Sequence, residues 1–133
     1  MSGRSGWTDL FWSAQGRLSR TSFLVAALAL IALAATYEAA VDVTLHWLTG
    51  WFVYPALLYS GACVLSKRLH DRGRSGWWAA LVLFALVGVW PLPHGFGSFV
   101  FTLVILWAAI ELGVMHGEDG ANRFGPSPLA AAA

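Results

Sequence analysis

The apolar positions of this chain fall in four continuous runs without the period-two alternation of barrel strands, and such runs predict helices. The first, "TSFLVAALALIALAATY" from Thr21 to Tyr37, approaches the ~30 Å hydrocarbon thickness of a bilayer at about 1.5 Å per residue. Its many alanines suit close helix packing through small side chains. The second, from Trp47 to Val64, carries Pro55 and Gly61, which predict a kink or a close helix approach. The third, "WWAALVLFALVGVW" from Trp77 to Trp90, is short, and tryptophans at both ends fit an aromatic belt at the two interfaces. "PLPHGFG" then turns the chain through Pro91, Pro93, Gly95 and Gly97, and the fourth run, Phe96 to Met115, contains Glu111.

Upstream of these runs, "WTDLFWSAQG" places Trp7, Leu10, Phe11 and Ala14 at helical spacing, which predicts an amphipathic helix lying in the membrane interface. The expected fold class is therefore an all-α integral membrane protein with four transmembrane helices and an N-terminal interfacial helix. Residues 1–20 form a cytoplasmic or interfacial segment. The spans cover about 21–37, 47–64, 77–92 and 96–115 within a domain at 21–116, and 117–133 form a cytoplasmic tail, disordered after Pro128. The first span has the basic flank and apolar core of a secretory signal. The long aromatic segment before Arg17 is unlike a signal's polar head, so retention is expected.

Composition supports the bilayer as solvent. Of 133 residues, 58% are hydrophobic and 11% charged, with eight Trp and eight Phe, and mean hydropathy is +0.64. A soluble domain of this length has too little interior to hide that much apolar surface. With four crossings, every basic residue lies on one side: Arg4, Arg17, Arg20, Lys67, Arg68, Arg72, Arg74 and Arg123. Glu38, Asp42, His46 and His94 lie on the other. The positive-inside rule makes the basic side cytoplasmic, with both termini inside. Cys63 sits within the second span and has no cysteine partner in the chain, so it is expected to be a small packing residue.

One stretch breaks the apolar character. "KRLHDRGRSGWW", Lys67 to Trp78, holds four of the eight Lys and Arg together with His70 and Asp71. Topology alone accounts for the charges, because each cation near an anionic leaflet is worth about 1 kcal/mol and Lys67 and Arg68 complement a helix C-terminus. Topology does not account for Gly73 and Gly76 flanking Ser75. Those residues suit a tight turn in which Gly73 takes φ > 0 and Ser75 caps the third span. Ser19, between Arg17 and Arg20, is a similar cap for the first span. Two helix N-termini with adjacent arginines make an anion site for a phosphate or lipid headgroup, with Asp71 as the internal counter-ion.

The same strings carry a resemblance. "GRLSR" at Gly16 to Arg20, followed by Phe23, then "KRLHDRGRSGWW", then "GANRFGPSP" at Gly120 to Pro128, resemble the domain-of-unknown-function 805 family of small bacterial inner-membrane proteins over about residues 9–128. The resemblance implies a multi-span helical domain in the bacterial cytoplasmic membrane and supplies no reaction. Ser22 stands where family members often have an acidic residue that completes a capping box with Ser19. Arg72 occupies a commonly uncharged position, Ala121 a frequent proline and Ser127 a frequent aspartate.

Catalytic and cofactor chemistry find little support. His70-Asp71 resembles the metal pair of phosphohydrolases, but His116, Glu118 and Asp119 do not supply the remaining ligands at a recognisable spacing. No nucleophile elbow, Walker loop or dinucleotide fingerprint occurs. No catalytic residue, metal or cofactor is assigned, and a formal net charge of +1 with cations at the membrane argues against nucleic acid. Glu111 is an intramembrane acid, expected to pair with Arg68 or Arg123 near the cytoplasmic end. The favoured reading is a non-enzymatic module whose basic face, built from Arg17, Arg20, Arg68, Asp71, Arg72, Gly73, Arg74, Ser75, Gly76, Asn122 and Arg123, binds an anionic phospholipid headgroup, a phosphorylated ligand or a partner protein. The alternative is a small homo-oligomeric transporter or channel using Glu111. A phospholipid-headgroup enzyme comes third.

Overall fold

A computed structural model of the chain describes residues 7–89 and 95–126. Trp90, the turn through Pro91 and Pro93, His94, the side chain of Trp7 and the tail from Ser127, where disorder is expected, lie outside the described residues. Five α-helices follow in order: α1 (Trp7–Trp12), α2 (Arg20–Ala40), α3 (Val43–Asp71), α4 (Trp78–Val89) and α5 (Gly95–Ala108). α5 continues into a π-helical segment, Ala109–Val114. No β-strand occurs among the described residues; one isolated antiparallel bridge joins Asn122 and Gly125.

Among the described residues, three stretches are long and apolar enough to cross a membrane: Arg20–Ala40, Val43–Asp71 and Gly95–Val114. α4 is apolar but only 12 residues long, about 18 Å of helix. Burial is distributed as a bilayer solvent requires. Leu28, Phe52, Phe84 and Phe96 are exposed on the outside of the bundle, whereas Lys67, Arg68 and Asp71 are buried within it. In water that arrangement would be doubly unfavourable; in hydrocarbon the apolar exterior is solvated and the charged groups are sheltered.

Local chemistry accounts for the helix ends. Ser19 caps α2 by accepting from Ser22 N, and its hydroxyl donates to Ser22 Oγ. The second serine thus partly replaces the acidic member of a capping box. Asp42 caps α3 through Leu45 N at 2.9 Å. α3 runs unbroken through Pro55 and ends at Asp71 rather than near Val64, because "SKRLHD" has no helix breaker. The chain leaves the helix only where Gly73 takes φ +78°. α1 stops at Trp12, so Ala14 is not part of the predicted helical face. Leu10 and Phe11 pack on the hydrophobic core instead, and Lys67 Nζ donates to Leu10 O.

α2 packs on α3, α3 on α4 and α4 on α5, while the π segment returns to α2. Gly61 admits close approach of α4, since a side chain there would meet Leu83. Gly88 likewise leaves room for the Phe101 ring of α5. The principal buried cluster draws Phe23 and Ala26 from the start of α2, Val64, Leu65 and Leu69 from the last turns of α3, Ala79 and Val82 from the start of α4, and Ala108 and Leu112 from the far end of the last helix. All four contributions come from one end of the bundle, the end that carries the basic residues.

Candidate functional site: the arginine-closed end

A helix C-terminus leaves its last carbonyls without intrahelical partners, and in or beside hydrocarbon these groups need donors from elsewhere. The C-terminus of the last helix is supplied by arginines from other parts of the chain. Arg68, 0% exposed, donates from Nε to Leu112 O at 2.6 Å and from Nη2 to Met115 O at 2.6 Å. Arg20 Nη1 reaches Val114 O at 2.7 Å, and Arg72 Nη1 donates to His116 O. Within the π segment itself, Met115 N closes back on Ile110 O. Guanidinium groups therefore cap this helix from outside, where their positive charge also opposes the negative end of its dipole.

Two carboxylates hold those arginines. Asp71, 4% exposed, lies between Arg17, whose Nε and Nη2 stand 3.0 and 2.9 Å from Oδ1, and Arg68, whose Nη1 is 2.5 Å from Oδ2. Arg68 Nη1 also donates to Leu18 O at 3.2 Å. Glu111 Oε2 accepts from Arg72 Nε at 3.0 Å and Arg74 Nε at 2.9 Å, with Arg72 Nη2 at 2.8 Å. Its partners are thus Arg72 and Arg74, not Arg68 or Arg123 as sequence position suggested. Arg68 is instead taken up by the carbonyls of Leu112 and Met115, and Arg123 by the Phe124 ring.

The segment after the last helix is strapped across this network. Arg17 donates from Nη1 to Gly120 O at 2.6 Å and Gly125 O at 3.2 Å, and from Nη2 to Glu118 O at 2.6 Å. Glu118 N donates to Asp71 O at 2.7 Å. Gly117 sits so close to the Asp71 carboxylate that an added Cβ would collide with it. Asn122 Nδ2 donates to His70 O at 3.0 Å and to Glu118 Oε1 at 2.7 Å, and its Oδ1 accepts from Phe124 N at 2.9 Å. Phe124 stacks on the His70 ring at 3.9 Å between centroids, and the Arg123 guanidinium lies over the Phe124 ring at 4.6 Å from its centroid. His70 Nδ1 meets Gly16 O at 2.9 Å.

The residues singled out from the sequence thus come together in two linked groups: Arg17, Arg68, Asp71 and Asn122 around the end of α3, and Arg72 and Arg74 around Glu111. Ser75 Oγ accepts from Trp77 N, and Ser75 O and Gly76 O accept from Trp78 N and Ala79 N. The first-turn amides of α4 are therefore engaged rather than presented as a free anion cradle. Gly76 lies against Ser66 and His70, where a Cβ would be tight. Arg17 and Arg68 direct all their donor nitrogens to protein acceptors. Arg74, with 41% of its side chain exposed, uses only Nε, Arg20 uses only Nη1, and Arg123 is exposed. His70 and Asp71 face different partners, and no group of three or more His, Cys, Asp or Glu suited to a metal occurs among the described residues. The sequence reading missed the carbonyls of Leu112, Val114, Met115 and His116 as the principal acceptors, for which side-chain identity carries no signal.

A family model described as "Protein of unknown function (DUF805)" matches residues 11–126, which include both carboxylates and all the arginines of the network. The uncharacterized protein YiiR of Escherichia coli (strain K12) is 42% identical over 85 residues, covering 58% of this chain and 58% of its own length. The inner membrane protein YhaH of the same strain is 39% identical over 62 residues, covering 47% of this chain and 37% of its own length. The chain therefore matches only part of either relative's length. No solved structure matches.

Proposed function

The chain belongs to the DUF805 family, a membrane-protein family without an assigned activity, and we propose that it acts as a non-enzymatic module of the bacterial inner membrane that holds anionic phospholipid headgroups at its basic end. In this reading α2, α3, α4 and the last helix are the four spans, the basic end and both termini are cytoplasmic, and α1 lies at the cytoplasmic interface. The name of the relative YhaH supports the location. Among the described residues, the gathering of the Lys and Arg side chains at one end supports the orientation.

The observation that carries the proposal is the division among the arginines. Arg17, Arg68 and Arg72 are committed to closing the fold, while Arg20, Arg74 and Arg123 keep guanidinium N–H groups without a partner among the described residues. These three stand at the margin of the network, where forked donors suit a phosphate oxygen pair. Glu111, the residue on which a transporter would depend, is held by Arg72 and Arg74, so the binding reading is preferred.

Native mass spectrometry of the gently extracted protein tests this with Arg20→Lys, Arg74→Lys and Arg123→Lys. Lysine preserves the charge that sets topology and removes the fork. Retention of phosphatidylglycerol or cardiolipin should fall several-fold while thermal stability stays near the parent's. Retention equal to the parent's in all three variants would sink the reading.

A further inference from the structure

Away from the arginine network, along the length of the bundle, α2, α3 and α4 do not close fully on one another. They leave a groove of about 450 Å³ that runs along α2 from Phe23 to Glu38, with its floor formed by residues such as Leu57, Gly61 and Leu83. Ile31, Leu58 and Val87 line it and are exposed, so the groove opens sideways, toward the position of the lipid. Phe23 and Glu38 are separated by roughly 22 Å of helix at about 1.5 Å per residue. That is a channel for a long hydrocarbon chain, apolar along most of its length, with Tyr54 beside its last polar group.

That group is Glu38. Its Oε2 is 3.0 Å from His46 Nε2, and Oε1 has no partner among the described residues. Nearby, Tyr37 Oη pairs with Thr49 Oγ1 at 2.7 Å and Asp42 Oδ1 caps α3, while the Tyr54 hydroxyl, on a residue that also lines the groove, is buried without a partner among the described residues. The sequence has no Lys or Arg from Thr21 to Ser66 or from Ser75 to Asn122. A lipid bearing only negative charge would find carboxylates and no cation at this mouth. A lipid bearing an ammonium group would find an acceptor.

We propose that this groove is a binding site for one acyl chain of an amine-headed phospholipid, the ammonium group meeting Glu38 at the mouth. Its mouth at Glu38 lies at the far end of α2 from the basic residues and is opposite to them in charge preference. One face of the bundle selects phosphate through arginine and the other selects ammonium through glutamate.

The test is native mass spectrometry of the full chain titrated with phosphatidylethanolamine and with phosphatidylglycerol of identical acyl chains. The parent should retain one phosphatidylethanolamine at this site. Ala34→Phe, which fills the groove from α2, should weaken that retention about tenfold, whereas Ala35→Phe, on an exposed position outside the groove, should match the parent. Glu38→Gln should keep a bound lipid but reduce the preference for the amine head by about tenfold, the factor expected for about 1.4 kcal/mol at a charge-assisted hydrogen bond. Arg74→Lys should leave this preference unchanged, which separates failure here from failure at the basic end. Equal retention of the two lipids by the parent, parent-like retention by Ala34→Phe, or an undiminished preference in Glu38→Gln would each overturn the proposal; because Glu38→Gln leaves the packing intact, misfolding of Ala34→Phe would not shelter it.

Discussion

The two ends of this bundle each contain a carboxylate held by a basic side chain, yet they are built to different standards. At the basic end Asp71 is almost wholly buried, with a guanidinium on each side, and the surrounding helices interdigitate around Leu69 and Leu112. At the other, Glu38 and His46 keep 27% and 35% of their side chains exposed, and the helices part to leave a groove. Apolar contact gives helices little reason to associate in hydrocarbon, since lipid tails solvate leucine as well as another leucine does. Association then follows unsatisfied backbone and charge. Where arginines connect three chain segments to the end of the last helix, the bundle is tight; where the pairing is local between α2 and α3, it is open.

The comparison is broken most severely at Arg68. Arg68→Ala removes four hydrogen bonds and leaves Asp71 with Arg17 alone. Removing one partner of a buried pair costs about 3–5 kcal/mol, and thermal unfolding in detergent should show the loss, with the strap at 117–126 released. A cost under about 1 kcal/mol would mean that the network is not what closes this end. Gly117→Ala attacks the same carboxylate without touching a charge. Its methyl group must displace Asp71 or the strap, so a cost of about 1–3 kcal/mol is expected, additive with Ala34→Phe at the remote groove and non-additive with Asp71→Asn.

How far all this is legible in the sequence depends on the kind of interaction. α2 is legible because an unbroken apolar run of membrane length admits one structure. The end of α3 is not, because Lys67 and Arg68 mark where the apolar run ends, whereas the helix stops where Gly73 permits a left-handed turn. Asp71 reads as a counter-ion from its neighbours, but Arg17, 54 positions away, becomes its partner only through folding. Glu111 reads as an acid in need of a cation; which cation it meets depends on how the connector carrying Arg72 and Arg74 folds against the last helix. The groove is invisible for a similar reason, since it is defined by helices failing to touch.

A smaller effect is expected from loosening the strap alone. Asn122→Ala removes three hydrogen bonds at its exposed margin, and a net loss of about 1 kcal/mol is expected, given partial replacement by water. Hydrogen exchange should localise it: the Phe124 amide, bonded to Asn122 Oδ1, should exchange faster, while amides in the middle of α3 keep their protection. Acceleration across α3 would place the strap within the cooperative unit that Arg68 closes and extend the tight end as far as Phe124.

The smallest stability effect should come from Glu38→Gln, and its size sharpens the contrast between the ends. Glu38 and His46 are partly exposed and eight positions apart in the chain, so their pairing resembles a surface ion pair, worth about 0–1 kcal/mol. Glutamine retains an acceptor for His46 and the volume of the side chain, and thermal unfolding should barely move. If Glu38 served the fold as Asp71 does, the loss would instead approach that of Asp71→Asn. A stable Glu38→Gln protein with a changed lipid preference would leave recognition as the role of this carboxylate. The open end would then be open because an acyl chain, rather than a neighbouring helix, completes its packing.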